Sequence, residues 1–379
     1  MDVVVLGAGR VGSAIAVDLA KDEAFEVRVA DRDPARLSHL AERHGIPGER
    51  VDFSLPSTVA RAVEGADLVI SAVPGFLGYR TLEAVLEAAV DVVDIAFFAE
   101  DPFTLDRRAK ERGVRAIVDC GVAPGMSNLL AGRADSLLDE TESVAIYVGG
   151  LPVDRVPPFE YRAAFSPIDV IEEYRRPARI VVDGRMTTRP ALSDLERLTF
   201  DGVGELEAFL TDGLRTLIGS LDAPHMVEKT LRYPGHAEKM RLLRDAGFLA
   251  EEPIEIDGRE IRPIDLTSAL LFPLWELREG EADLTVMRVQ VDGIADGRRV
   301  RHRYDLLDRY DPVTRTTSMA RTTGYTATMA ARLLASERWT QHGIVAPETI
   351  GRDSDAVGFI LAGLRERGIE YRKTIESAP

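Results

Sequence analysis

The chain has 379 residues, 45% of them hydrophobic and 29% charged, and a formal net charge of −16. That length predicts ~2 to 3 domains and enough chain to bury roughly three quarters of its unfolded surface, with no low-complexity tract or strict repeat. The acidic balance excludes a general nucleic-acid or anionic-membrane binder, since both need basic surface, and suits a highly soluble protein or one in a salty cytoplasm.

The first element is the β-branched run Asp2 to Leu6. It breaks at Gly7, too early for a secretory h-region, and no later run approaches the ~20 apolar residues of a membrane span, so a cytoplasmic location is the expectation. Gly7-Ala8-Gly9-Arg10-Val11-Gly12 then leads into a helical pattern from Ala14 to Lys21. Strand, glycine turn and helix in that order have a physical reading. Gly7 allows the tight turn, Gly9 lets a pyrophosphate approach the backbone, and Gly12 lets helix and strand pack closely. Free N–H groups at the helix start face the phosphates.

A second strand, Phe25 to Ala30, ends at Asp31, nineteen residues after Gly12. A carboxylate there accepts the adenosine ribose hydroxyls and repels a 2′-phosphate, which favours NAD over NADP. Arg32 beside it works the other way, because a guanidinium can stack on adenine or hold that phosphate, so NADP stays open. Further strands are predicted near Val51 and over Asp67 to Ala72, Asp91 to Ile95 and Arg115 to Asp119, with helices over Thr58 to Glu64, Thr81 to Ala89 and Phe103 to Arg112. These six strands predict an α/β fold with a Rossmann doubly wound parallel sheet. Ligands of such sheets sit beyond the carboxyl ends of the strands. That places Ala72, Val73 and Pro74, the segment from Asp94 through Phe97 to Phe98, and Asp119 to Asn128 on one rim. Cys120, the only cysteine, excludes an intrachain disulfide and a cysteine-built metal cage and reads as a small buried filler. Pro124 and Gly125 open a helix whose start could bind a carboxylate or the nicotinamide amide.

From Ser143 the texture changes to alternating strands such as Val144 to Gly149 and Ile180 to Val182, with turns at Asp183-Gly184, Asp257-Gly258 and Asp296-Gly297. This predicts a second α+β domain with a mixed or antiparallel sheet. Helices follow over Ala327 to Ser336 and Ala356 to Arg367. The expected division is a Rossmann domain over 1–125, completed by 320–379, and a substrate-binding and dimerisation domain over 126–319.

Val5-Leu6-Gly7-Ala8-Gly9, Asp119 to Asn128, Phe165-Ser166 to Glu173-Tyr174, Lys229 to His236 and Thr317 to Gly324 together resemble the saccharopine dehydrogenase family over nearly the whole chain, and within it the lysine 6-dehydrogenase branch. The resemblance implies NAD-dependent oxidative deamination of the terminal amine of L-lysine or a close amine, and a homodimer. Where saccharopine reductases carry an acidic residue before Pro-Gly, this chain has Ala123. Ala96 and Phe97 stand where those enzymes tend to have a small polar residue and an aromatic. Saccharopine or carboxynorspermidine reductase-type imine chemistry is the alternative, and a non-catalytic nucleotide-binding scaffold or sensor is the alternative of another class.

Hydride removal beside an amine needs the neutral amine, against a lysine pKa of ~10.4, so a base or proton-accepting network is required. His236, Lys229 and Asp94 are the candidate catalytic residues. His236 shares a segment with Lys229, Arg232 and Tyr233. Lys229, one of five lysines against forty-two arginines, reads either as a base lowered by burial or as a plain cation for a carboxylate. Asp94 could attract the ammonium or cap a helix. Arg232 suits a bidentate grip on a carboxylate or an internal ion pair. Tyr233, Tyr161, Tyr174, Asn128 and Phe97 complete the candidate substrate wall. No spacing of His, Asp or Glu suggests a catalytic metal, and no G-x-S-x-G elbow occurs.

Overall fold

The computed structural model describes residues 1–378. Val3, Val4, Val5 and Leu6 are all at most 1% exposed. A strand apolar on both faces must be covered on both, which is the condition of a parallel sheet between helical layers. This strand, β1 (Asp2–Leu6), is followed by α1 (Arg10–Leu19), β2 (Glu26–Asp31), α2 (Pro34–His44), β3 (Gly48–Arg50), α3 (Pro56–Ala62), β4 (Leu68–Ser71), α4 (Gly75–Glu87), β5 (Asp91–Asp94), α5 (Asp106–Glu111), β6 (Arg115–Ile117) and α6 (Met126–Asp135). The chain then enters a second unit through β7 (Glu140–Pro152), α7 (Pro167–Arg175), β8 (Ala178–Val182), β9 (Arg185–Arg189), β10 (Glu196–Phe200), β11 (Gly204–Leu210), α8 (Leu217–Ser220), β12 (His225–Arg232), α9 (His236–Asp245), β13 (Ile254–Ile256), β14 (Arg259–Ile261), α10 (Pro263–Trp275), β15 (Asp283–Ala295) and β16 (Arg298–Arg309). It closes with α11 (Ser318–Ala335), β17 (Gly343–Val345), α12 (Pro347–Gly351), α13 (Ser354–Glu366) and β18 (Tyr371–Ser377).

Two compact units result, residues 1–137 with 319–371 and residues 138–318 with 372–378. In the first, the described strands form a sheet ordered β17-β6-β5-β4-β1-β2-β3, with every pairing parallel. Strand order reverses between β1 and β4, the topological switch point where such sheets take their ligands. The predicted six strands are present, and β17 from the C-terminal segment adds a seventh at the β6 edge. The C-terminal helices are tied to α1 by the buried Asp18. It receives Thr328 Oγ1 at 2.7 Å, Arg332 Nη1 at 2.9 Å and Arg367 Nε at 2.9 Å.

The second unit holds a mixed sheet ordered β10-β11-β12-β7-β15-β16-β18, with β8 on β12 and β9 on β8. The pair β12 and β7 is parallel and β7 to β15 antiparallel. Each predicted Asp-Gly turn closes a two-residue hairpin with both residues at positive φ: Asp183 and Gly184 at 50° and 72°, Asp257 and Gly258 at 50° and 74°, and Asp296 and Gly297 at 50° and 71°. Left-handed residues at both positions give the turn whose twist matches the strands.

The sequence boundaries move in two places. The first unit runs to Leu137 and not to 125, because α6 packs its small residues on α12, where Gly132 lies under the Glu348 backbone. The last residues leave that unit, since β18 pairs with β16 in the second sheet. Helices α4 and α11 begin well before the expected Thr81 and Ala327, at Gly75 and Ser318. Small residues in their first turns blurred the apolar period. Among the described residues no helix is long and apolar enough to cross a membrane.

Candidate functional site

In the first unit the glycine turn has the geometry its spacing predicts. Gly7 has φ of 107°, and a Cβ on it would stand 2.5 Å from the Ala72 carbonyl oxygen. A Cβ on Gly12 would stand 1.9 Å from the Gly7 oxygen. These two glycines are therefore demanded by the protein's own backbone. Gly9 differs. A Cβ there would meet nothing nearer than Arg36 Nη1 at 3.9 Å, so this glycine keeps open a space that the fold itself does not fill. Gly9 stands at the N-cap of α1, a helix start of the kind whose backbone N–H groups suit an anionic ligand. Ala72, Val73 and Pro74 lead from β4 into α4 on the other side of the switch point, and Val73 is buried.

Asp31 ends β2 and is 6% exposed. Its Oδ2 receives the Ala8 N–H at 2.5 Å and its Oδ1 the Asp33 N–H at 2.8 Å. The carboxylate thus braces the glycine turn while each oxygen keeps acceptor capacity for a ribose hydroxyl. Arg32 is exposed beside it. An open cradle at Gly9, the start of α1 and an acidic brace fit a dinucleotide, and these residues would hold its pyrophosphate and adenosine ribose.

On the rim, Asp94 is fully buried and its Oδ1 accepts the Ala96 N–H at 2.7 Å, which shapes the turn leading to the half-buried Phe97. Asn128 is corrected from substrate wall to helix start. It is fully buried, and its Oδ1 accepts the Ser127 hydroxyl at 2.9 Å and the Gly125 N–H at 3.5 Å, closing the first turn of α6. Burial pushes the Cys120 thiol up, with Asp119 and Asp94 adding to the shift, so this cysteine is an inert thiol.

In the second unit four of the candidates meet in one buried relay. Arg232 is 2% exposed, and its Nη2 donates to Glu173 Oε2 at 2.6 Å, its Nη1 to the Leu231 carbonyl at 2.9 Å and its Nε to the Tyr174 oxygen at 3.2 Å. The guanidinium lies 4.6 Å from the Tyr161 ring centroid. His236 is 1% exposed. Its Nδ1 faces the Phe159 carbonyl at 3.0 Å, which can only accept, so Nδ1 carries the proton and Nε2 accepts from the Tyr174 hydroxyl at 3.0 Å. Burial, and then the neighbouring Arg232, lower the His236 pKa to about 3. Tyr161 and Tyr174 flank the imidazole at centroid distances of 5.1 Å and 5.6 Å, and Trp275 packs on Tyr161 at 5.5 Å.

This arrangement corrects two roles. His236 is a neutral ring with both nitrogens engaged and no free lone pair for a substrate proton. Arg232 already spends three donors inside the protein, against the expected bidentate grip on a ligand. Two further candidates lie elsewhere. Lys229 Nζ donates to Glu196 Oε1 at 2.7 Å and to the Asp194 carbonyl at 2.6 Å, apart from the relay around Arg232. Tyr233 donates to the Pro152 carbonyl at 2.9 Å and packs with Leu151, Phe200 and Leu231.

Three acids escaped the sequence reading. Glu207, 2% exposed, accepts the Gly235 N–H at 2.8 Å and the Ala237 N–H at 2.5 Å, which fixes the start of α9 and with it His236. Glu173 neutralises Arg232, yet burial still raises its pKa. Glu228 is 3% exposed, takes the Thr211 hydroxyl at 2.6 Å and the Gly213 N–H at 3.1 Å, and burial raises its pKa to about 8. In sequence, Glu228 and Lys229 look like an ordinary charged pair on a strand. Only the pleat reveals that Glu228 points with Thr230 and Arg232.

Residues 3–117 match the saccharopine dehydrogenase NADP binding domain and residues 121–369 the saccharopine dehydrogenase C-terminal domain. The chain is 23% identical over 402 aligned positions to carboxyaminopropylagmatine dehydrogenase of Synechocystis, covering 98% of this chain and 97% of that protein. It is 26% identical to saccharopine dehydrogenase [NADP(+), L-glutamate-forming] of Saccharomyces cerevisiae, covering 69% and 61%. To mouse α-aminoadipic semialdehyde synthase it is 25% identical and spans only 30% of that protein's length. The solved apo saccharopine dehydrogenase (L-Glu forming) of S. cerevisiae shares the fold, with a TM-score of 0.81 at 20% identity over 99% of this chain and all of that one. The chain belongs to the saccharopine dehydrogenase family.

Proposed function

We propose that this protein interconverts, reversibly, a secondary amine that links an amino-acid part to a second amine and the corresponding imine, with a nicotinamide nucleotide as hydride partner, water adding to the imine when the C–N bond is broken and leaving when it is made. The observation that carries the reading is the open cradle at Gly9 within a chain that aligns end to end with a relative named for such a compound. Carboxynorspermidine synthase of Vibrio cholerae, 24% identical over 93% of both proteins, supports the same substrate class.

Bound at the cradle, the nucleotide supplies or accepts the hydride. The chain's own residues then bind, orient and shield. Asp31 and the α1 start fix the adenosine half. Asp94, buried at the carboxyl end of β5, supplies negative charge on the rim where a cationic amine is to be drawn. Tyr174 and Tyr161, expected as substrate wall, are instead buried in the core of the second unit, where the relay from Arg232 through Tyr174 to His236 holds them. His236 serves as a positioning residue in this reading, since its nitrogens are both engaged.

A second reading, deamination of the terminal amine of L-lysine or a close amine, is favoured by the uncharged rim at Ala96, Phe97 and Ala123. A neutral lysine amine at pH 8 lies ~2.4 units below its pKa of ~10.4, about 3.3 kcal/mol, so this reaction runs best in alkali. The test follows absorbance at 340 nm with both nucleotides. Purified protein is offered lysine, ornithine, saccharopine and carboxylated polyamines at pH 9, and amine plus aldehyde or keto-acid pairs with reduced nucleotide at pH 7. Consumption of reduced nucleotide only when both partners are present supports the first reading. Reduction of oxidised nucleotide by lysine alone supports the second, and no change in any mixture overturns both.

A further inference from the structure

The loop from β9 to β10 and the helix α9 border a groove of about 420 Å³, open to solvent on one side. Pro190, Leu192, Asp194 and Leu195 line it from the loop, and Arg241 and Arg244 from the helix. Its volume lies in the range of small-molecule sites, ~300–1,000 Å³. None of its lining residues belongs to the glycine turn, the rim or the Arg232 relay.

The loop is held as a rigid wall. The Leu192 N–H donates to the Leu210 carbonyl at 3.1 Å, and the Ser193 carbonyl accepts the Leu210 N–H at 3.0 Å. The carbonyls of Ala191, Leu192 and Asp194 are taken by Arg244, Arg241 and Lys229. Two residues other than glycine stand at left-handed φ, Leu192 at 62° and Asp194 at 50°. A bulky leucine is strained in that region, and strain of this kind gathers at ligand clamps.

The charges of the groove are incomplete. Arg241 is half-buried and donates Nη2 to the Leu192 carbonyl at 2.6 Å. It pairs with no carboxylate among the described residues, in a chain of net charge −16. Arg244 differs, since its Nη2 is paired with Asp245 Oδ1 at 2.8 Å. The Asp194 carboxylate is exposed and accepts no hydrogen bond among the described residues. Pro190 and Leu195, the latter 46% exposed, add apolar surface. A guanidinium, a carboxylate and an apolar patch in one groove complement a zwitterion with an apolar tail. A ligand carboxylate takes paired N–H bonds from a guanidinium, and a ligand ammonium is drawn to a carboxylate. A dicarboxylate would be repelled by Asp194, and a diamine by the two arginines.

We infer that this groove is a second ligand site that takes a free α-amino acid with an aliphatic side chain, its carboxylate on Arg241, its ammonium on Asp194 and its side chain against Pro190 and Leu195. The site is independent of the proposed reaction. Arg241 stands on α9, the helix that His236 opens, so an occupant ties the loop to the element that carries the relay.

The test is titration of the full chain by calorimetry and thermal melting, with three probes. These are L-leucine, L-leucinamide, which lacks the carboxylate, and 4-methylpentanoate, which lacks the ammonium. The wild type is expected to bind L-leucine with a Kd of ~0.1–1 mM, as an open site allows. Either truncated probe should bind at least about tenfold more weakly. Asp194→Asn keeps the carbonyl that Lys229 uses, and asparagine accepts the same left-handed φ, so this variant isolates the carboxylate. Asp194→Asn and Arg241→Gln should each weaken L-leucine by about fivefold or more while nucleotide affinity stays within about twofold. If Arg241→Gln does not fold, Asp194→Asn decides alone. Neither heat nor a rise in melting temperature with L-leucine up to about 20 mM overturns the inference. So does L-leucine binding that both variants leave unchanged, since the occupied site would then lie elsewhere. Equal binding of all three probes overturns it as well.

Discussion

Lys229 and Arg232, three residues apart on β12, leave the sheet on opposite faces. Odd spacing on a strand reverses the side on which a residue stands. Lys229 goes to Glu196, and Arg232 goes to Glu173 and Tyr174. The two ion pairs differ in burial, and the difference predicts unequal costs. Arg232 and Glu173 have side-chain exposures of 3% and 19%, whereas Glu196 is 39% exposed. Glu173→Gln leaves a buried guanidinium without its counter-charge and is expected to cost about 3–5 kcal/mol. Glu196→Gln breaks a pair whose carboxylate is 39% exposed and leaves Lys229, 10% exposed, its bond to the Asp194 carbonyl, so it is expected to cost less than the Glu173 change. Urea unfolding of the two variants checks the order, and equal losses would show that the Arg232 pair is solvated.

The glycine turn separates structure from ligand. Gly12→Ala places a methyl 1.9 Å from the Gly7 oxygen, so this variant should unfold at markedly lower denaturant. Gly9→Ala meets only open space and should keep wild-type stability. Its methyl occupies the approach of a pyrophosphate, and nucleotide affinity should fall by at least about tenfold. Thermal melts and nucleotide titrations of both variants supply the check. A Gly9→Ala protein that binds nucleotide normally would place the pyrophosphate elsewhere.

These positions also show what was legible in the sequence. Gly7, Gly9, Gly12 and Asp31 could be read because a local turn and a fixed spacing carry their roles. The parallel sheet could be read because buried strands repeat at regular intervals, and the Asp-Gly hairpins because only certain residues accept positive φ. Arg232, Tyr174 and His236 were singled out, but as ligand-facing groups. That they satisfy one another depends on α7 meeting β12 and α9, contacts between residues 58 to 62 positions apart. Glu207, Glu173 and Glu228 were missed for the same reason, since nothing local distinguishes a buried glutamate from an exposed one. Lys229 and His236 were grouped by nearness along the chain, which the pleat of β12 and the turn at Gly235 undo.

The charge of −16 leads to a salt dependence. Like charges on a folded surface repel, and salt shortens their range from about 30 Å at 0.01 M to about 3 Å at 1 M. The melting temperature should therefore rise between 0.05 M and about 1 M KCl, with most of the gain below about 0.3 M if screening alone acts. The exposed Arg–Glu pairs lose strength over the same range, but each is worth little. Differential scanning calorimetry along a KCl series measures the net effect. A melting temperature that falls with salt would mean that the surface ion pairs outweigh the repulsion.

His236 and Glu228 oppose one another in their effect on stability against pH. The folded His236 has a pKa of about 3, below its ordinary 6.5, so the unfolded chain binds the extra proton. Its contribution is complete above about pH 6.5 and is lost as pH falls towards 3. The folded Glu228 has a pKa of about 8, above its ordinary 4.5, so the folded chain keeps a proton that the unfolded chain releases. That contribution is complete below about pH 4.5 and is lost as pH rises through 8. Glu228→Gln keeps an acceptor for Thr211 and Gly213 without an ionisable proton, and it should be more stable than wild type by a few kcal/mol at pH 9, at a slope of up to about 1.4 kcal/mol per pH unit. At pH 4.5 the two proteins should unfold at nearly the same urea concentration. His236→Gln should reduce the wild-type loss between pH 6.5 and pH 4. Parallel stability profiles for wild type and Glu228→Gln would show that Glu228 is ionised in the folded protein throughout this range, with its charge met by a cation or by water.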